Sequence, residues 1–109
     1  MEDHFGILVR FTLKDGAEEA FDKLVAETVE EIRAHEPDTL IYTCHTVEEH
    51  PQQRIFYEFY RNRTTFNAHE AQPHIARFLA DREQYLLSYE VDFLALTTGK
   101  GVPMTGEGS

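Results

Sequence analysis

Tryptophan is absent from this 109-residue chain, cysteine occurs once, and basic residues number ten against twenty acidic ones. Each shortage excludes something. A lone Cys44 permits no internal disulfide and no multi-cysteine zinc site. Its apolar stretch predicts a small buried hydrophobe rather than a reactive thiol. The net charge of −10 repels phosphate backbones and anionic lipid, and the densest basic pair, Arg61 and Arg63, is too sparse to act locally against that field. Nucleic acid and membrane surfaces are therefore not expected as partners. No apolar run approaches the roughly 20 residues of a membrane-spanning helix. The opening Met-Glu-Asp-His has no basic stretch ahead of an apolar one, which predicts no secretory leader and a cytoplasmic protein. No glycine-rich phosphate loop is present either; Asp15-Gly16 is a lone turn, so a nucleotide site has no support.

What is present fits one small domain, residues 1–98, followed by a Gly-rich, polar tail, 99–109, expected to be flexible or arm-like. A chain this short buries only roughly 60–70% of the surface its unfolded form exposes. Disulfides, a structural metal or a partner subunit usually make up the difference. With one cysteine, a partner subunit is the expected answer.

Phe5 to Leu13 alternates with period two: Phe5, Ile7, Val9, Phe11 and Leu13 share one face, as in a strand. After Asp15-Gly16 the period changes, and Phe21, Leu24, Val25, Thr28 and Ile32 form a helical stripe. Glu36-Pro37 ends that helix, because a residue preceding proline avoids helical geometry. Thr39 to Val47 reads as a second strand, Glu48 to Gln53 as a polar loop, and Arg54 to Arg61 as a third strand. Thr64 and Thr65 are candidate N-caps of a short helix through Ala71. Pro73 suits the first turn of another helix, whose stripe is Ile75, Phe78, Leu79, Arg82 and Leu86. A last strand is predicted from about Leu87 to Thr98. The order βαββαβ predicts an α+β, ferredoxin-like fold with a four-stranded antiparallel sheet. The third strand is aromatic on both faces, so both faces must be covered. Helices can cover one; a second copy of the sheet is the simplest cover for the other.

Chemistry concentrates in Phe56-Tyr57-Glu58-Phe59-Tyr60 and in the segment that carries His69 and His74. A carboxylate flanked by aromatics is either buried and paired or functional. His69 lies on the element expected to cover that strand, and a Glu58–His69 hydrogen bond would fix the imidazole tautomer. Such a pair either anchors helix to sheet or acts as general acid and base at a pocket. His69 and His74 are five apart with Pro73 between, not the i, i+4 spacing of two helical ligands; no metal site is expected. His4, His35, His45 and His50 are expected on the surface or in loops. The aromatics are core residues first, although so many could also wall a pocket for a flat ligand.

At these residues the chain resembles the antibiotic biosynthesis monooxygenase family of the dimeric α/β-barrel superfamily. The similar segments are Glu36-Pro37-Asp38-Thr39-Leu40-Ile41-Tyr42, Phe56 to Tyr60, and Phe66-Asn67-Ala68-His69 with Pro73-His74. The resemblance implies a homodimer with sheets packed face to face into a barrel, and a pocket between each sheet and its helices. It implies oxidation by O₂ of a small electron-rich aromatic, a polyketide-like phenol, anthrone or quinol, without flavin, metal, haem or nicotinamide. His69, oriented by Glu58, would be the base and Tyr60 a phenol donor; Tyr42, Phe56, Phe66, His74 and Phe78 would wall the pocket. Several oxidising members carry tryptophan where Tyr60 stands. The haem-degrading branch needs an Asn, that Trp and a ligating His where this chain has Val9, Tyr60 and Leu79, so haem degradation is not expected. Two other readings remain: a non-redox isomerase of a small polar metabolite, with Arg10, Arg54 and Arg77 as possible lining, or a ligand-binding or structural dimer without catalysis.

Overall fold

The computed structural model describes residues 4–103. In chain order it runs β1 (Phe5–Leu13), α1 (Glu18–His35), β2 (Thr39–Val47), β3 (His50–Tyr60), α2 (Arg63–Glu70), α3 (Pro73–Asp81), a 3₁₀ turn (Arg82–Tyr85) and β4 (Leu86–Ala95). The strands form one antiparallel sheet in the order β2-β3-β1-β4, the ferredoxin-like α+β arrangement expected. No helix among the described residues is long and apolar enough to cross a membrane.

β1 sits at the sheet's centre and turns Phe5, Ile7, Val9, Phe11 and Leu13 toward the helices, where all five are buried. Phe11 packs edge-on against Phe56 of β3 with ring centroids 4.7 Å apart, and Phe21 of α1 closes over Phe11 at 5.5 Å. Aromatic pairs in these offset geometries add about 0.5–1.5 kcal/mol beyond the area they bury. The stripe Phe21, Val25, Thr28 and Ile32 is the buried face of α1, as its spacing predicts. Arg54, the buried cation of β3, ties α1 to the sheet: Nε and Nη2 donate to the two carboxylate oxygens of Asp22 at 2.8 and 2.9 Å.

Four local expectations are corrected. β3 begins at His50, four residues earlier than predicted, because Glu48 and Glu49 alone reverse the chain. Glu49 takes φ 67°, the left-handed conformation such a tight reversal needs. Pro51 is tolerated in the strand because pairing with β1 extends only to Gln53, so no partner there awaits its missing N–H. The N-cap of α2 is Asn62, not Thr64 or Thr65: its side chain accepts from the Thr65 backbone N–H at 2.9 Å while Thr65 Oγ1 accepts from the Asn62 N–H at 3.2 Å. β4 ends at Ala95 rather than Thr98. Cys44 is exposed, not buried, because β2 is an edge strand and the helices do not close over it there. Of the expected tail, residues up to 103 carry no helix or strand, and the remainder lies outside the described residues.

Among the described residues the sheet's second face carries no helix. Leu8 and Tyr57 pair across it, as do Arg10 with Ile55 and Gly6 with Leu94. β3 is thus apolar on both sides: Phe56, Glu58 and Tyr60 alternate toward the helices, Ile55, Tyr57 and Phe59 away from them. β4 is the least covered strand. Beyond Leu86 all of it is exposed, Phe93 by 60%, although Tyr89, Val91 and Phe93 lie on the helix side in register with Phe11, Val9 and Ile7.

Candidate active site

Pro37 stops α1 at His35 and leaves Glu36 outside helical geometry, at φ −129° and ψ 70°, its backbone N–H closing the helix on Ile32 O at 2.9 Å. That termination aims the Glu36 side chain inward, beneath α2 and α3. There Glu36 Oε1 accepts from His69 Nδ1–H at 2.6 Å and from Thr39 Oγ1–H at 2.8 Å, while Oε2 accepts from His74 Nε2–H. Glu36, His69 and His74 are all buried. Burial alone would raise the Glu36 carboxyl, but the hydrogen bonds from His69, His74 and Thr39 outweigh it and hold the group below its ordinary value. With Nδ1–H given to Glu36, Nε2 is the ring nitrogen of His69 left for other partners.

Nε2 faces a second buried pair. Tyr60 donates its hydroxyl to Glu58 Oε1 at 2.6 Å, and that same oxygen lies 4.0 Å from His69 Nε2. Burial pushes the Glu58 carboxyl above its ordinary value; the Tyr60 hydrogen bond and the nearness of His69 only partly offset it. Burial, then the charge and hydrogen bond of Glu58, push the Tyr60 phenol far above the usual phenol range. The result is a continuous line, His74–Glu36–His69, then across 4.0 Å to Glu58–Tyr60.

This line meets a cavity of about 320 Å³ between the sheet and the α2–α3 layer. Tyr42, Phe56, Phe66 and Phe78 stand in its wall, and Glu58, His69, Glu70 and Arg82 bring charged or titratable groups to it. It is open toward β4, where Tyr89, Val91 and Phe93 form the outer part of its floor. Three expectations are corrected. His69 is oriented by Glu36, since 4.0 Å to Glu58 is beyond hydrogen-bond reach. His74 does not line the cavity but lies behind it, holding Glu36. Tyr60 likewise stands behind Glu58 instead of in the wall. A larger groove of about 640 Å³ runs between α1 and β2 past Cys44; it contains neither His69 nor Glu58 and is the less suited to acid–base chemistry. Of the other arginines considered as lining, Arg54 faces that groove and is paired with Asp22, while Arg10 hydrogen-bonds Gln53 Oε1 at 2.9 Å on the opposite sheet face.

Two site residues escape a reading of the sequence. Glu36 looked like a helix terminator, and only its place in a short buried-looking Glu-Pro segment hints at more. Arg82 lies on an apolar helical stripe, where a cation is out of place, and it joins the cavity wall. Among the described residues no group of three His, Cys, Asp or Glu side chains is disposed to hold a metal ion.

The model of the family described as "Antibiotic biosynthesis monooxygenase" matches residues 4–81, from the start of β1 to the end of α3. The chain belongs to that family. Solved structures with the same fold include a candidate antibiotic biosynthesis monooxygenase from Caulobacter crescentus CB15, at TM-score 0.84 and 13% identity, covering 89% of this chain and 92% of that one. Another, from Nitrosomonas europaea, reaches TM-score 0.83 at 17% identity, covering 93% and 97%. A Pseudomonas aeruginosa protein reaches 0.81 at 21% identity, covering 90% and 98%. At such identities the likeness is one of fold. No curated protein gave a match. The family match spans every element that supplies the line from His74 to Tyr60, so the family's fold frames the site.

Proposed function

We propose that the cavity oxidises a flat, electron-rich aromatic such as an anthrone or a hydroquinone with O₂, using the substrate itself as the electron source. The observation that carries this reading is the buried Glu36–His69 hydrogen bond at the wall of an aromatic cavity, with Nε2 of His69 on the side of Glu58, which lines the same cavity. An acidic C–H or O–H placed there gives its proton to Nε2. The imidazolium so formed stands between two buried carboxyl groups, Glu36 at 2.6 Å and Glu58 at 4.0 Å, whose burial strengthens both interactions. The substrate anion is then a good one-electron donor to O₂. Recombination gives a carbon-bound peroxide, which loses water. For an anthrone, CH₂ becomes C=O, one oxygen atom of O₂ stays in the product and the other leaves in water. The four electrons come from the substrate, so no further reductant is needed.

Two copies are proposed to work together, with the helix-free sheet faces against each other as the family resemblance implies. The half-buried Leu8, Ile55 and Tyr57 and the exposed β4 support this, because apolar sheet faces of this kind are normally covered.

The test is O₂ uptake by metal-free, flavin-free protein with anthrone and with 1,4-dihydroxynaphthalene, with ¹⁸O₂ to follow the oxygen into the product. The expected result is a rate above the spontaneous one that His69→Ala lowers by about a hundredfold or more. A rate equal to the spontaneous one for both substrates, unchanged in His69→Ala, sinks the reading.

A further inference from the structure

Two arginines of this protein, Arg54 buried and Arg82 mostly covered, are treated in opposite ways. Arg54 is fully engaged: Asp22 takes Nε and Nη2, and Nη1 donates to the Pro51 and Gln53 carbonyls at 2.9 and 2.8 Å. Arg82, at the junction of α3 with the 3₁₀ turn, has a side chain only 13% exposed, and its Nε finds no hydrogen-bond partner among the described residues. The carboxylate nearest to it, that of Glu83, is exposed and lies 4.0 Å away, beyond hydrogen-bond reach. What surrounds the guanidinium is aromatic: its carbon lies 4.8 Å from the Tyr89 ring centre, 5.4 Å from Phe11 and 5.7 Å from Phe78. Those ring faces attract a cation but accept no N–H···O bond. Glu58 and Glu70 line the same cavity, and Glu58 is near enough to feel the charge of Arg82, but neither hydrogen-bonds it among the described residues. A largely desolvated charge so incompletely paired is costly, and the cavity that Arg82 lines is a direction from which an acceptor can come.

We infer that Arg82 is an anion-recognition residue of the cavity, and that the preferred ligand is an aromatic acid: a flat ring system carrying a carboxylate or comparable oxyanion that pairs with the guanidinium. The planar fork of an arginine suits such a group, forming two parallel charge-assisted hydrogen bonds. The rings of Phe11, Phe78 and Tyr89 around the guanidinium hold the fork in place before a ligand arrives, so little side-chain freedom is lost on binding. The inference deepens the reading of the cavity as a substrate site and rests on it. An anion held at Arg82 would set the ring against the aromatic wall, and so decide which ring carbon meets His69.

The competing account is that Arg82 is only packing: a long stem covering apolar surface, with its charge favourable at the C-terminal end of α3. Calorimetric titration of the purified protein at neutral pH with 2-naphthoate and with neutral 2-naphthylmethanol separates the two. The expected result is that 2-naphthoate binds about tenfold or more tightly than the alcohol. Arg82→Gln should erase that preference and leave the alcohol within about twofold of its wild-type affinity. Arg82→Lys, which keeps the charge, should retain part of the preference; it carries the test if thermal melting shows that Arg82→Gln is unfolded. Equal binding of the two probes to wild type, binding of neither, or equal weakening of both in Arg82→Gln would overturn the inference. Because the readout is binding without turnover, a preference for naphthoate alongside no O₂ uptake would remove the oxidation and leave the anion site standing.

Discussion

Glu36 and His69 are thirty-three residues apart in sequence and share a 2.6 Å hydrogen bond, with both side chains almost wholly buried. The first residue after α1 is thereby joined to the last turn of α2, and the imidazole is fixed in both orientation and tautomer. Glu36→Gln tests what this bond does. An amide can offer one acceptor oxygen but sets an NH₂ group against one of the two histidine donors, so a buried N–H loses its partner. The expected cost is about 1–3 kcal/mol of stability, with activity down by about tenfold to a hundredfold. The stability difference should depend on pH. Glu36 has a folded value below its unfolded one, so its contribution is present above the unfolded value and lost as pH falls through the folded value. Denaturant melts across the acid range should therefore show wild type and Glu36→Gln converging toward low pH.

Glu58 should behave in the opposite sense. Its folded value is raised by burial, so the stability it contributes is present at low pH and lost as pH rises through the folded value. Glu58→Gln removes that ionisation and still offers Tyr60 an acceptor oxygen. At neutral pH it is expected to be as stable as wild type or up to about 1 kcal/mol more stable. The gain should vanish on acidification, while the oxidation rate falls because the imidazolium of His69 loses a carboxylate neighbour. Thermal melts at two pH values, set beside O₂ uptake, check both halves. A neutral-pH loss of stability in Glu58→Gln would contradict the reading that burial disfavours the ionised Glu58.

The elements were readable where one local rule dominates. Period-two alternation marks β1, Pro37 stops α1, and Pro73 opens α3, each within a residue of the observed bounds. Reading failed where the outcome depends on what lies across space. Pro51 and two glutamines look like loop, yet they are strand, because the chain reverses in only two residues and Gln53 still pairs with Thr12 of β1. Cys44 looks buried, but β2 turns out to be an edge. The site followed the same division. Glu58 and His69 announce themselves as polar groups in apolar or helical settings, and the structure brings them to one cavity. Which carboxylate holds His69 is a tertiary fact, decided by the direction in which α1 ends, and no spacing along the chain encodes it. Arg82 did carry a signal, since a cation on an apolar stripe either stretches to solvent or meets something inside.

Arg54 and Asp22 provide a control outside the cavity chemistry. Asp22→Asn leaves a buried guanidinium without its counter-charge, though the Pro51 and Gln53 carbonyls still accept two of its hydrogen bonds. Asp22 is itself half exposed, so water screens part of the attraction. The expected cost is about 1–2 kcal/mol, below the cost of breaking a fully buried pair. Oxidation by the folded protein should be unchanged. Chemical denaturation measures the first expectation and O₂ uptake at saturating substrate the second.

The helix-free sheet face is tested most directly at Tyr57. This side chain sits mid-strand in β3, opposite Leu8, and faces away from the cavity that its neighbours Phe56 and Glu58 line. A charge there cannot disturb the helix-side core, but it would have to be desolvated wherever two sheets meet. Tyr57→Glu is therefore expected to convert a species of twice the 12.7 kDa chain mass into one of single mass, as read by light scattering after size exclusion. Glu36, Glu58 and His69 all belong to one chain and lie on the helix side of the sheet, so the monomer is expected to keep some binding of small aromatics even as its melting temperature falls. If Tyr57→Glu stays at the double mass, the contact between copies lies elsewhere, and the exposed outer strand β4 becomes the surface to change next.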